Sequence, residues 1–158
     1  MNSSHLSLEF LRRISRPRRS AQTKIASISD YIEWQSAMLT SEQLEKLRAE
    51  LPLLNSRLSA MAVAGFPRLP RQLKLLVSFF GHTFDQAFPA KSDASRKEAA
   101  FAIRYWMKES DIIPDFVPEI GYADDSLIVR TVLRRHQEVF RDYCLFRNIS
   151  WPKIGVAP

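Results

Sequence analysis

Apolar residues recur along this chain at helical spacing, and no β-branched run alternates with polar residues over a convincing length. Ile25, Ile28, Ile32 and Leu39 share one face of a first helix, with Gln35 in the same register. Thr40 or Ser41 then reads as an N-cap, and Thr40 with Gln43 has capping-box spacing. Leu44, Leu47, Leu51, Leu54, Leu58 and Met61 follow in alternating steps of three and four, a heptad seam read as core. Pro52 falls inside that seam, so a kink or two shorter helices are expected there. The two segments together predict an antiparallel helical hairpin. Gly65 and Pro67 punctuate the chain, and Pro70 suits a first helical position. Leu73, Leu76, Val77, Phe80 and Phe84 line the next helix, which Leu75, Phe79 and Phe88 make apolar on most sides. Such a helix belongs at the centre of a core, and Pro89 is expected to end it. Ser92 or Asp93 caps a helix with Ala99, Ala100, Ile103 and Met107 inward. A last helix is expected from about Asp124 to Arg147, with Val129, Val132, Leu133, His136, Val139, Phe140 and Tyr143 on one face. The fold class is therefore all-α: a small helical bundle with an N-terminal hairpin and a Pro/Asp-rich connector before the last long helix.

Length changes this picture little. A chain of 158 residues suits one domain, and such a domain buries roughly 70% of its unfolded surface. The expected division is a basic segment over 1–22, one helical domain over 23–148 and an irregular tail over 149–158. The N-terminal apolar stretch is broken by Glu9 and Arg12, so no signal peptide is expected. No run of 18 apolar residues predicts an ordinary membrane span. The single cysteine, Cys144, excludes an internal disulfide and suits a reducing, cytoplasmic compartment.

Charge adds more. The formal net charge is +6, and it is distributed in blocks. Arg12, Arg13, Arg16, Arg18, Arg19 and Lys24 stand against Glu9 alone at the start. Residues 109–125 hold Glu109, Asp111, Asp115, Glu119, Asp124 and Asp125 without a cation. Arg130, Arg134, Arg135, Arg141, Arg147 and Lys153 follow. Such blocks favour acidic partners: a protein surface, an anionic membrane or nucleic acid. The residues expected to meet one are Arg12, Arg13, Arg16, Arg18, Arg19, Arg130, Arg134 and Arg141. No base-reading motif is present. Leu6, Leu8, Phe10, Leu11 and Ile14 beside the basic cluster also suit a helix lying on a membrane surface. The competing expectation is internal: the acidic segment lies against the basic C-terminal helix.

The run Asp111-Ile112-Ile113-Pro114-Asp115-Phe116-Val117-Pro118-Glu119-Ile120-Gly121-Tyr122-Ala123-Asp124-Asp125 is the most distinctive stretch. Its prolines stiffen a connector between helices, and Gly121 permits a positive φ. Asp124 and Asp125 sit where a helix starts and can cap it. This run resembles the signature of the YkvA-like family, a domain of unknown function in short bacterial and archaeal proteins. Asp111, Pro114, Asp115, Pro118, Gly121, Asp124 and Asp125 match it position by position, and a looser likeness extends over about 69–143. Lys108 and Glu109 stand where the family often has Ser-Pro, and Arg130, Arg134 and Arg135 interrupt a helix that is often strongly apolar there. The resemblance implies a helical fold and brings no reaction.

Chemistry is sparse. Asp111, Asp115, Asp124 and Asp125 form a candidate oxygen-donor set for a divalent cation, without the spacing of a twelve-residue calcium loop. Turn-making and capping explain the same residues. His5, His82 and His136 are too scattered in sequence to suggest a site, and His136 reads as a satisfied core or boundary residue. Cys144, near Arg141 and Arg147, has the surroundings of a lowered thiol pKa but no visible catalytic partner. No catalytic residue is assigned. The expectation is a non-enzymatic interaction or adaptor protein that binds an acidic partner, in the cytoplasm or peripheral to the inner face of a membrane. The alternative is a divalent-metal-binding regulator or metal-dependent enzyme built on the Asp111–Asp125 segment.

Overall fold

A computed structural model describes residues 27–61, 65–89, 92–107 and 122–154. Seven helices and no strand occur among them: α1 Ile28–Ala37, α2 Ser41–Ala60, α3 Leu69–Phe84, α4 Asp93–Met107, α5 Ala123–Arg135, α6 Gln137–Arg147 and the single turn α7 Trp151–Ile154. Local chemistry starts the first two. Ser27 Oγ accepts from the Asp30 N–H at 3.1 Å. Thr40 Oγ1 accepts from the Gln43 N–H at 3.2 Å while Gln43 Oε1 accepts from the Thr40 N–H at 3.0 Å, a reciprocal capping box.

The all-α bundle stands, but the hairpin does not. α1 packs on α4 and α5, whereas α2 packs mainly on α3, so the first two helices flank the bundle separately. The reason is the supply of apolar surface. α1 buries the single stripe Ile28, Ile32 and Ser36, and α2 the single stripe Leu44, Leu47, Leu51, Leu54 and Leu58. α3 and α4 bury residues on nearly every side, including Leu73, Leu76, Phe79 and Phe80 on one and Ala99, Ala100, Phe101, Ala102 and Ile103 on the other. A helix of that kind is stable only inside. The single-stripe helices therefore pack onto this central pair rather than onto each other.

Pro52 does not divide α2, which runs unbroken from Ser41 to Ala60. The ring is exposed, so the carbonyl that loses its N–H partner lies on the solvent side, where water satisfies it. α3 stops at Phe84, earlier than Pro89 would require. Gln86 takes a left-handed φ of 59°, and the N–H groups of Ala87 and Phe88 both reach the His82 carbonyl, at 2.8 and 3.2 Å.

The expected last long helix is two. α5 ends at Arg135, and His136 adopts φ −120° and ψ 35° before α6 begins. This break turns α6 so that Phe140 and Tyr143 meet Phe79, with ring centroids 4.7 and 5.3 Å apart. The tail is not wholly irregular either. α7 brings Ile154 into the core, and its carbonyl accepts from Gln72 Nε2 at 3.1 Å in a buried contact. No helix among the described residues is long and apolar enough to cross a membrane.

Candidate functional site

Polar side chains gather at three places, each assembled from residues far apart in sequence. In the first, Glu98 of α4 is only 1% exposed. Arg135 grips both its oxygens, Nε to Oε2 at 3.0 Å and Nη2 to Oε1 at 2.9 Å, and His136 Nε2 meets Oε2 at 2.8 Å. Burial pushes the Glu98 carboxyl up, but the hydrogen bonds from His136 and Arg135 outweigh it and hold the group below its ordinary range. Arg135 also lies 3.6 Å from Glu33, which ties α1 to the same point. Every strong donor here is spent on Glu98, so this cluster is a clasp between α4, α5 and α6. The expectation that His136 is a satisfied boundary residue holds.

The second place is the N-terminal turn of α5. Asp124 and Asp125 are buried there, 3% and 1% exposed. Neither is the cap, since that position belongs to Tyr122, which makes no side-chain cap bond. Asp124 Oδ2 instead accepts from the Tyr105 hydroxyl at 2.9 Å. Burial first, and the Asp124 charge second, push the Tyr105 phenol far above its ordinary range, so it is a permanent donor. Both carboxylates also lie in the first turn, where negative charge complements the helix dipole. Asp111 and Asp115, the other half of the candidate metal set, lie outside the described residues. Among those described, no group of three or more His, Cys, Asp or Glu side chains is placed to hold a metal ion.

The third place is a trough between α2 and α3, closed by the end of α6 and by α7. One half has a volume of about 370 Å³ and is walled by Arg48, Ser78, His82, Asp85 and Arg147. The other half, about 480 Å³, is walled by Arg71, Lys74, Leu75, Ile149 and Ile154. Asn55 and Ser78 line both, so the two halves adjoin. Helical spacing explains the walls. Arg48, Pro52, Asn55 and Ser59 recur on the outer stripe of α2, and Arg71, Lys74, Ser78 and His82 on the facing stripe of α3. Gly81 sets the depth, because a Cβ there would stand 3.1 Å from Leu51 Cδ1.

The trough is electropositive. Asp85 is its only carboxylate among the described residues, and Arg48 occupies it with two donors, Nε to Oδ1 at 2.9 Å and Nη2 to Oδ2 at 2.5 Å. That hydrogen-bonded pairing holds the Asp85 carboxyl below its ordinary range. Among the described residues, Arg71, Lys74 and Arg147 make no ion pair. Behind the lining residues Ser78 and His82, the hydroxyl of the buried Tyr143 lies 2.5 Å from Ser78 Oγ and 2.6 Å from His82 Nδ1. Burial and then the nearby Arg147 charge push the His82 imidazole below its ordinary range, with Asp85 pulling the other way. The rings of Tyr143 and Phe146 flank the imidazole, Phe88 packs against both of them, and Phe146 is 52% exposed.

The residues expected to meet an acidic partner fare unevenly. Arg12, Arg13, Arg16, Arg18 and Arg19 lie outside the described residues. Arg130 and Arg134 sit one turn apart on α5, and Arg141 on α6 lies over the Trp151 ring at 5.9 Å. None of the three lines the trough. The trough residues themselves were not singled out, although Arg48, Arg71, Lys74 and His82 do recur at helical spacing on faces opposite the apolar stripes. Pairing those two faces needed the tertiary contact between α2 and α3. The expected lowering of the Cys144 thiol is reversed: it is buried at 1% exposure, and that burial pushes it up.

A family model described as a protein of unknown function (DUF1232) matches residues 96–129. That span holds Glu98, Tyr105, Asp124 and Asp125, the polar anchors of α4 and α5. No curated protein and no solved structure matches the chain.

Proposed function

We propose that this protein is a non-enzymatic binding protein whose ligand or partner is acidic and lies along the α2–α3 trough. One observation carries the reading: Arg71, Lys74 and Arg147 line two adjoining halves of a trough without an ion pair to any described residue, and the one carboxylate among its described lining residues is already taken by Arg48. Exposed cations with a shared concave surface attract anions at long range and hold them by charge-assisted hydrogen bonds. The basic residues at 12–19 and the face of Arg130, Arg134 and Arg141 extend the same preference over the rest of the chain. We take the cytoplasm as its compartment, since the one cysteine is buried and unpaired. The narrower YkvA-like assignment belongs to this proposal too, resting on the Asp and Pro spacing between Asp111 and Asp125.

The test compares wild type with an Arg71→Gln/Lys74→Gln variant. Co-sedimentation with phosphatidylserine-containing vesicles, a mobility shift with duplex DNA and RNA, and binding to an acidic polypeptide are each run at two salt concentrations. At least one acidic probe is expected to bind more weakly at high salt and more weakly to the variant. Equal binding by wild type and variant to every probe refutes the trough as the binding surface.

A further inference from the structure

The trough is not uniform, and its two halves differ in chemistry. The half nearer α7 has an apolar wall of Leu75, Ile149 and Ile154. The other half gathers two guanidinium groups, an imidazole and a serine hydroxyl around about 370 Å³. Since a water molecule occupies roughly 30 Å³ of liquid, that space takes a tetrahedral oxyanion together with its hydration or its ester substituent. Resting on the reading of the trough as an acidic-ligand site, we propose that this half binds the phosphoryl group of a phosphate monoester, with Arg147 and His82 as direct donors.

The hydrogen-bond chain behind the lining prepares His82 for that role. The Tyr143 ring is fully buried and packed edge-on against Phe79 and Phe88, so its hydroxyl has a fixed position. One arrangement of this hydrogen-bond chain has the Ser78 hydroxyl donating to Tyr143 and the Tyr143 hydroxyl donating to His82 Nδ1, which leaves the imidazole proton on Nε2. Nε2 lies on the side of the ring away from that buried hydroxyl. In that arrangement the ring is an oriented N–H donor, and when a bound anion favours its protonation the hydrogen-bond chain reverses, so that Nδ1–H donates to the Tyr143 hydroxyl. The groups facing it bear this out. Burial, Arg147 and Arg48 oppose its protonation and Asp85 favours it, so an added dianion would act in the same direction as Asp85. Arg147 supplies a planar fork that no carboxylate among the described residues engages. Arg48, clamped by Asp85, is a fixed positive wall rather than a mobile ligand. A phosphoryl group presents three acceptor oxygens to donors on different walls, which a planar carboxylate does not. The apolar half next door has room for the organic portion of the ester.

The experiment is an NMR titration of the full chain, reading the His82 ring and its pKa, with three probes: inorganic phosphate, glycerol 3-phosphate, and phosphatidic acid in phosphatidylcholine vesicles. Inorganic phosphate or glycerol 3-phosphate is expected to perturb the His82 ring and raise its pKa. His82→Gln and Arg147→Gln should each weaken binding about tenfold or more, the loss expected for one charge-assisted hydrogen bond. Arg147 is exposed, so its variant is not expected to disturb folding, and a circular-dichroism melt checks both. A response to the vesicles but to neither soluble probe assigns the site to a lipid headgroup, provided Arg147→Gln abolishes it. No His82 response to any probe, or a response unchanged in Arg147→Gln, overturns the proposal. The trough reading fails separately. Arg71→Gln/Lys74→Gln should keep phosphate binding while losing the acidic macromolecule. If that variant loses nothing while phosphate still moves His82, the phosphoryl pocket stands and the wider trough falls.

Discussion

Replacing Glu98 by glutamine isolates the clasp that joins α4 to the α5–α6 break. The wild-type carboxylate receives two hydrogen bonds from Arg135, at 2.9 and 3.0 Å, and one from His136 at 2.8 Å. Glutamine keeps one acceptor oxygen and turns an NH₂ donor toward groups that also donate. Breaking a buried pair from one side costs about 3–5 kcal/mol, because the remaining charge is stranded. Here Arg135 can swing toward solvent and Glu33, which lowers the expected cost to about 2–3 kcal/mol. For a chain of this size that is a fall in Tm of about 5–10 °C. The pH dependence has a definite sign. The folded Glu98 carboxyl is held below its ordinary value of 4.5, so its contribution is fully present above that value. It is lost as pH falls through the depressed folded value. Urea unfolding followed by circular dichroism should therefore show a gap between wild type and Glu98→Gln that is constant near neutrality. The gap should shrink in acid below about pH 4.5. A variant as stable as wild type at neutral pH, or a gap that widens as pH falls, refutes the clasp.

Tyr143→Phe should cost about 1–3 kcal/mol in the same assay, since it deprives Ser78 and His82 of one buried partner without changing the packing of the ring. It should also raise the exchange broadening of His82, whose tautomer is no longer imposed. Cys144, buried and with a raised thiol pKa, should react with Ellman's reagent many-fold more slowly in the native protein than in urea; equal rates would show that it is exposed. Mg²⁺, Mn²⁺ and Ca²⁺ at millimolar concentration should leave the melting temperature within about 1 °C, because at least Asp124 already serves Tyr105. A stabilisation that Asp124→Asn removes would instead establish the acidic segment as a cation site.

Periodicity alone was sufficient for most of the helices and most of the core. The seam Leu44, Leu47, Leu51, Leu54 and Leu58 is buried as its spacing requires, and so are Leu73, Leu76, Val77 and Phe80. Such burial follows from the 3.6-residue repeat and the hydrophobic effect, which act on each helix by itself. The Thr40–Gln43 capping box is equally local. Sequence could not say which stripe meets which. The hairpin expectation failed because α3 and α4 are apolar on most sides and recruit α1 and α2 to separate flanks. The continuous last helix failed at His136, which leaves helical geometry and meets Glu98, 38 residues away. The acidic pair at Asp124 and Asp125 was visible in sequence, but its burial against Tyr105 was not.

The trough shows the same division most clearly. Each of Arg48, Arg71, Lys74 and His82 reads singly as a solvated residue on the polar face of a helix. Their charge type and helical phase are properties of the sequence alone. That they line adjoining halves of a trough, with the buried Tyr143 hydroxyl behind His82 and with Arg147 beside it, is decided by the packing of α2 and α6 on α3. The physical reason is range. Propensity, capping and hydrophobic phase are set within a turn or two of helix, whereas a binding surface is a relation between side chains whose separation along the chain exceeds any local period.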